Sequence, residues 1–321
     1  MKFDEDYIKT FCSTNNIDDI SISRFELKSI YQFAYNMPQQ ISKKRTLFSA
    51  GVGLNSAPHL LTIAQLINLI RLQNIGFQTQ VVLGDLDVIL ARKDTNPHDK
   101  LANKYKNFLI KLGYNLAQGI IRTQYEATTV ARNLLLMSPY VSEADFDYVK
   151  EDLIDYYAGS INNVIDFPTR ISYLLMVSDF ISPIMDQNYD RTVVCCGIDE
   201  SKYAIWANNV LQRMGLAGNV SGLFTGITQG LNGYPKMSKS IPESCIFLTD
   251  ERDKIYRSII DGEKHNQTSM QCKLAIAFLA GEKESENSIL SRYREGMDVT
   301  DLEKDLVDYI IYICDEWQNG A

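Results

Sequence analysis

The chain has 321 residues, 45% of them hydrophobic and 22% charged, and a formal net charge of -8. This is the balance of an ordinary globular protein, which excludes disordered and collagen-like classes and any chain basic all over, such as a generic nucleic-acid binder. The apolar runs at 81–83 and 171–177 are far too short to span a bilayer, and the start Met1-Lys2-Phe3-Asp4-Glu5-Asp6 is acidic where a secretory signal would be basic, so a cytoplasmic protein with no membrane attachment is expected.

Strands and helices alternate along the chain, the pattern of a parallel sheet with crossover helices. Residues 46–50 read as a short buried strand entering the loop Gly51-Val52-Gly53. Leu60, Ile63, Leu66, Ile67 and Ile70 recur at helical spacing, which predicts a helix over 59–73 closed by Gly76. A strand at 80–83 comes next and runs into Gly84-Asp85-Leu86-Asp87, then a helix over 97–112 ended by Gly113 and a strand over 119–123. Lys100, Lys104, Lys106 and Lys111 make that second helix lysine-rich, a solvated face first and a phosphate-binding one second. Residues from about 126 to 165 look wholly helical and read as an insertion between two halves of the sheet. A helix over 168–179, a strand over 190–196, a helix over 200–214 and a helical end through 301–318 complete the pattern. The six cysteines form no Cys-x-x-Cys pair and there are only three histidines, so no metal site from protein ligands alone is expected. Cys195-Cys196, at the end of an apolar run, read as buried thiols.

The sharpest signal is Lys236-Met237-Ser238-Lys239-Ser240. Two lysines interspersed with small hydroxyl residues suit a triphosphate. The ammonium groups offset charge that develops as pyrophosphate leaves, and Ser238 and Ser240 can donate to phosphate oxygens. The run comes after a glycine-rich stretch (Gly222, Gly226, Gly230, Gly233) and precedes Ser244-Cys245-Ile246-Phe247-Leu248-Thr249-Asp250.

In these segments the chain resembles the class I aminoacyl-tRNA synthetases. The lysine run matches their signature loop, and residues 244–250 are similar to the corresponding segment of tryptophanyl-tRNA synthetases of the archaeal and eukaryotic type. Cys196-Gly197-Ile198-Asp199-Glu200 looks like that branch's Ile-Asp-Gln segment, and Leu72-Gln73-Asn74-Ile75-Gly76-Phe77 resembles the tyrosyl enzymes. The resemblance implies a Rossmann-type α/β catalytic domain over 46–250 with the helical insertion at about 126–165. It places a helical extension at 1–45 before that domain. A small helical C-terminal domain over 251–321 resembles a shortened anticodon-binding domain. It further implies ATP with Mg2+, an amino acid or related carboxylate that becomes an acyl-adenylate, tRNA as acceptor, and a homodimer. Lys236, Ser238, Lys239, Ser240 and His59 would be catalytic, and Gly51, Gly53, His59, Thr62 and Met237 would meet the nucleotide.

The pattern departs from that family at several positions. Where a His-x-Gly-His run meets the nucleotide at a helix N-terminus, this chain has His59-Leu60-Leu61-Thr62, with a leucine in place of the glycine. The positions expected to read the amino acid carry Ser49 for a tyrosine and Met176 for a glutamine, and Glu200 stands for the glutamine after Asp199. Asp179 keeps a matching carboxylate that could face the substrate, as could Asp85 or Asp87 after the second strand, and Gly197 lies in the segment that looks like Ile-Asp-Gln, although capping or solvent roles suit the aspartates equally. Losing buried polar readers changes specificity, because such groups discriminate strongly between substrates. The sequence therefore predicts an adenylating ligase with altered substrate. The alternatives are a catalytically reduced paralogue that binds a nucleotide, a tRNA or a partner, and an ordinary tryptophan enzyme with drifted motifs.

Overall fold

The computed structural model describes residues 5–20, 31–92, 99–149, 166–239, 241–261, 269–280 and 283–320. In chain order its elements begin with α1 (Glu5–Thr14), β1 (Ile17–Asp19), β2 (Phe33–Tyr35), β3 (Thr46–Gly53), α2 (Leu60–Asn74), β4 (Gln78–Gly84), α3 (Asp85–Arg92), α4 (Asp99–Lys111) and β5 (Gly119–Thr123). They continue with α5 (Thr128–Met137), α6 (Glu143–Val149), α7 (Phe167–Met185), β6 (Arg191–Gly197), α8 (Ser201–Arg213) and β7 (Asn219–Thr225). Four helices close the chain: α9 (Arg252–Ile260), α10 (Met270–Leu279), α11 (Glu286–Arg294) and α12 (Thr300–Asn319). No described helix is long and apolar enough to cross a membrane.

The chain divides into two compact units. One comprises Met1–Asn55, Arg71–Ala102 and Tyr114–Gly226; the other comprises Ser56–Ile70, Asn103–Gly113 and Ile227–Ala321. The units thus part at 226/227, not at the expected 250, and the second gathers two short segments from earlier in the chain.

The first unit holds a seven-stranded sheet in the order β1-β2-β7-β6-β3-β4-β5. The five strands from β7 to β5 are parallel, and β1 and β2 add antiparallel at one edge. Strands buried on both faces read as continuous apolar runs, which is why β4 (Gln78–Gly84) and β6 (Arg191–Gly197) are buried almost throughout. From β3 the chain runs outward through β4 and β5, then returns to the other side of β3 for β6 and β7. The order therefore reverses between β3 and β6, the place where open α/β sheets bind ligands at the strands' carboxyl ends. These two strands pair only from Thr46↔Arg191 to Ser49↔Val194, leaving the ends at Gly53 and Gly197 unpaired with each other.

Helices α7 and α8 pack on β6 and β7, and α5 lies on α7. Helix α2 stops where Gly76 takes φ +95°, a left-handed conformation that glycine adopts without penalty. Gly76 N–H then donates to the Gln73 carbonyl at 2.8 Å and Phe77 N–H to the Leu72 carbonyl at 3.0 Å, a Schellman close. Asp166 caps α7 by accepting from Thr169 N–H at 3.1 Å. The expected helical extension over 1–45 needs correction: α1 is helical, but β1 and β2 are strands of the sheet. In the expected insertion, α5 and α6 are helical, and 150–165 lies outside the described residues.

In the second unit α12 packs on α9 and α10, and α10 on α11. Phe278, Ile289, Leu306, Ile310 and Ile313 are fully buried there, each contributing roughly 1.5–3 kcal/mol of burial. Trp317, near the end of α12, lies edge-on to Tyr105 and Phe108 of α4, with ring centroids at 4.9 and 5.2 Å.

Candidate functional site

In the second unit the lysine run is held by its backbone. Met237 is buried, and its N–H donates to the Thr228 carbonyl at 3.0 Å. Ser238 N–H donates to Ser244 Oγ at 2.9 Å, the Ser244 hydroxyl donates to the Ile241 carbonyl at 2.7 Å, and Ile241 N–H returns to the Ser238 carbonyl at 2.9 Å. Gly230 makes the fold of this loop possible: a Cβ there would lie 2.6 Å from the Lys236 carbonyl oxygen. Lys236 and Lys239, on either side of the Met237-Ser238 anchor, are half-buried. Lys239 Nζ stands 3.5 Å from Tyr105 Oη, and the tyrosine donates its own proton to the Ser56 carbonyl at 3.3 Å. Ser240 lies outside the described residues.

His59 sits beside this loop at the N-terminus of α2. Leu60 N–H donates to the Ile246 carbonyl at 3.0 Å and Leu248 N–H to the Pro58 carbonyl at 3.1 Å, so the residues after the lysine run are stitched to the helix start. The imidazole lies edge-on to Phe247, with centroids 6.3 Å apart, and its Nδ1 faces the N–H of Thr62 at 3.4 Å, a long capping contact. Burial, then Lys239, then Lys236, hold the His59 pKa down to about 3. At neutral pH the ring is therefore uncharged, with Nε2 left as donor. The cause is as informative as the value: two ammonium groups and a helix N-terminus converge here, an arrangement that attracts an anion. Thr62 is buried and Leu61 is half-buried in the same first turn. The α4 lysines are partly committed elsewhere, Lys104 over the Trp317 ring at 5.0 Å and Lys111 to Glu316 at 3.6 Å.

In the first unit Gly53, Gly197 and Asp85 lie at or just after the carboxyl ends of parallel strands, and Met176 and Asp179 on α7. Asp85 opens α3 directly after β4, and its Oδ1 accepts from the N–H groups of Leu86 (2.8 Å), Gln124 (3.0 Å) and Tyr125 (3.2 Å). It thus closes the turn after β5. Asp179 on α7 is buried and accepts from Arg122 Nη2 and from Gln124 Nε2, both at 2.8 Å. Burial raises its carboxyl above the usual range, and the Arg122 guanidinium opposes that rise. Gln124 is fixed at its other end, where Oε1 accepts from Asp87 N–H at 2.9 Å, and Asp87 accepts from the Ser172 hydroxyl.

Of the remaining positions, Ser49 is fully buried within the sheet and its Oγ accepts from Gln80 at 2.9 Å. Met176 is half-buried on α7. Gly197 ends β6, where a Cβ would lie 2.4 Å from Asp199 Oδ1, and Glu200 is exposed. Gly51 is exposed and Gly53 half-buried; a Cβ on either would meet nothing within 4 Å. The structure thus groups His59, Lys236 and Lys239, and separately links Asp85 and Asp179 through Gln124. It does not bring Ser49 to a surface. Sequence reasoning overlooked Arg122, Gln124, Tyr105 and Ser244; the available signal was an arginine inside the otherwise apolar strand 119–123. All six cysteines are buried and none is in a disulfide, and burial pushes the Cys195 thiol up to about 12. Among the described residues no group of three or more His, Cys, Asp or Glu is gathered to hold a metal ion.

Comparison with known proteins identifies the fold and the family. No curated protein matches the sequence. Tryptophanyl-tRNA synthetase from the hyperthermophilic archaeon Aeropyrum pernix K1 superposes with a TM-score of 0.76 at 16% identity, covering 98% of this chain and 93% of that one. A tryptophanyl-tRNA synthetase homolog from Entamoeba histolytica gives 0.73 at 14% identity, covering 99% and 93%. Tyrosyl-tRNA synthetase complexed with L-tyrosine from Archaeoglobus fulgidus gives 0.67 at 18% identity, covering 87% and 91%. At such identities the likeness establishes a shared fold. The family model for class I tRNA synthetases (W and Y) matches residues 28–310, and the chain therefore belongs to the class I tRNA synthetases of the tryptophan and tyrosine type.

Proposed function

We propose that the chain is an ATP-dependent ligase that activates an amino acid or related carboxylate other than tryptophan and tyrosine as its acyl-adenylate. The observation that carries this reading is that the segment after the Lys236–Lys239 run is stitched to the start of α2 at His59, by Leu60 N–H to the Ile246 carbonyl at 3.0 Å and Leu248 N–H to the Pro58 carbonyl at 3.1 Å. Two lysines set beside a helix N-terminus suit a polyanion, and a triphosphate is one. Lys236, Lys239 and the Nε2–H of His59 would hold phosphate oxygens, with Ser238 and Ser240 as further donors and Mg2+ accompanying the phosphates. Gly51, Gly53, Thr62 and Met237 belong to the nucleotide side of the same reading.

Altered specificity rests on the polar readers. Met176 offers only a thioether where an acceptor for an α-ammonium is needed, Ser49 is enclosed, and Glu200 is exposed. Asp85, Asp179 and Gly197 remain on the substrate side. The acyl group would pass to a tRNA hydroxyl or a small acceptor. A homodimer belongs to the reading as well: Leu135 and Leu136 on α5, 70% and 54% exposed, supply apolar surface to bury.

One observation favours a second reading, a nucleotide- or tRNA-binding paralogue with reduced catalysis. Leu61 puts a branched side chain where the family keeps a glycine. Amino-acid-dependent ATP–pyrophosphate exchange over all twenty amino acids and a panel of other carboxylates separates the two. Exchange with an acid other than tryptophan or tyrosine is the expected result. ATP binding by calorimetry with no exchange for any acid supports the paralogue, and tryptophan-only exchange returns the chain to the ordinary enzyme.

A further inference from the structure

Asp179 is the one buried carboxylate on α7 that could accept from an indole N–H or a phenol O–H. Both of its oxygens already accept from buried side chains, Oδ1 from Arg122 Nη2 and Oδ2 from Gln124 Nε2, each at 2.8 Å. Gln124 cannot turn away, because its Oε1 is held by Asp87 N–H at 2.9 Å. The orientation of this amide is fixed by having a donor at one end and an acceptor at the other. The carboxylate is thus occupied in positioning the guanidinium.

Arg122 Nη1 is buried and has no hydrogen-bond partner among the described residues, although the arginine side chain is only 12% exposed. A buried donor left unmade demands an explanation, and one on a permanent cation more so. Its place supplies one. Arg122 is the penultimate residue of β5, and Asp85 at the end of β4 clamps the turn beyond it, so the group lies at the carboxyl edge where ligands of open α/β sheets bind.

We propose that Arg122 is the specificity-determining residue of the substrate side: Nη1 donates to an oxygen acceptor on the side chain of the acyl substrate. The preferred substrates then carry a carboxylate, carboxamide or carbonyl at that end, not an indole or phenol ring. A planar, permanently charged fork preset by Asp179 suits such oxygens and discriminates against ligands that leave it unpaired. The inference rests on the ligase reading only in taking the substrate to be an amino acid or related carboxylate.

The test is calorimetry on the full chain without ATP, titrating aspartate, glutamate, asparagine, glutamine, tryptophan, tyrosine and phenylalanine. At least one of the first four is expected to bind at least tenfold tighter than the three aromatics. Arg122→Lys keeps the charge but not the fork and should weaken that ligand several-fold. Removing Arg122 alone strands Asp179, so the second variant is Arg122→Met with Asp179→Leu, which exchanges the buried pair for apolar side chains of similar bulk. It should fold and lose the preference. Tightest binding by tryptophan or tyrosine, no binding by any of the seven, or an undiminished preference in the double variant would each overturn the proposal. Binding of an acceptor-bearing amino acid with no pyrophosphate exchange would keep this inference and sink the ligase reading; tryptophan-only exchange with that same binding preference would also separate them.

Discussion

The charge state of His59 reports directly on the field at the lysine loop. Its pKa is held at about 3 against an ordinary 6.5, with burial first, Lys239 second and Lys236 third among the causes. The sign is set by linkage. Between pH 6.5 and about 3 the unfolded chain binds a proton at His59 that the folded chain refuses, so stability falls as pH drops through that window and recovers above it. The slope is at most about 1.4 kcal/mol per pH unit for one site. Lys239→Met removes one cation. Lys239 is the larger of the two charges that hold the ring down, so the His59 pKa should rise when it is removed. The chain has only three histidines, so proton NMR of the imidazoles, with His59→Gln for assignment, reads this cleanly. Mg-ATP should raise the His59 pKa further, seen as proton uptake near pH 6 in calorimetry across buffers of different ionisation enthalpy. A His59 that titrates at 6–7 in the free protein, or that does not move when Lys239 is removed, refutes the reasoning.

Other perturbations probe neighbouring parts of the account. Leu61→Gly should tighten ATP binding several-fold while costing up to about 1 kcal/mol of stability from a glycine in a helix; weaker binding by calorimetry would show that Leu61 does not obstruct the base. Ser244→Ala orphans the Ser238 N–H and should cost about 1–3 kcal/mol, with a matching loss of ATP affinity as the loop loosens. Equal ATP affinity in this variant would mean that the loop is not fixed through Ser244. Trp317→Ala empties the contact with Tyr105 and Phe108 and should cost about 3–5 kcal/mol in urea denaturation; a cost below about 1 kcal/mol would mean that the end of α12 does not support the second unit.

Much of the sheet was legible because parallel strands are continuous apolar runs between turn residues. The strand over 119–123 matches β5 residue for residue, and Gly76 and Gly113 end their helices with φ +95° and +100°. What escaped has physical causes. β1 and β2 are three residues each, too short for a period-2 pattern to stand out. β7 contains Gly222, which made 222–233 read as a glycine-rich stretch and not as the end of a strand. A Cβ at Gly222 would lie 2.0 Å from the Phe224 ring, so that glycine makes room for a buried aromatic inside a strand and does not break it. The lysine loop was visible as a motif, but its anchor, Ser244 beneath Ser238, depends on a fold-back that spacing alone does not reveal. Arg122, Gln124 and Asp179 meet across 55 and 57 residues of separation; only the sheet brings them together.

The central claim is that Lys236 and Lys239 still serve a triphosphate in an adenylation reaction. Pyrophosphate exchange on the unmodified chain and on Lys239→Ala, side by side with the same panel of carboxylates, tests it most directly. The account predicts exchange for an acid other than tryptophan or tyrosine, slowed at least about a hundredfold in the variant. Exchange that is unaffected by the variant, or no exchange with any acid, contradicts it.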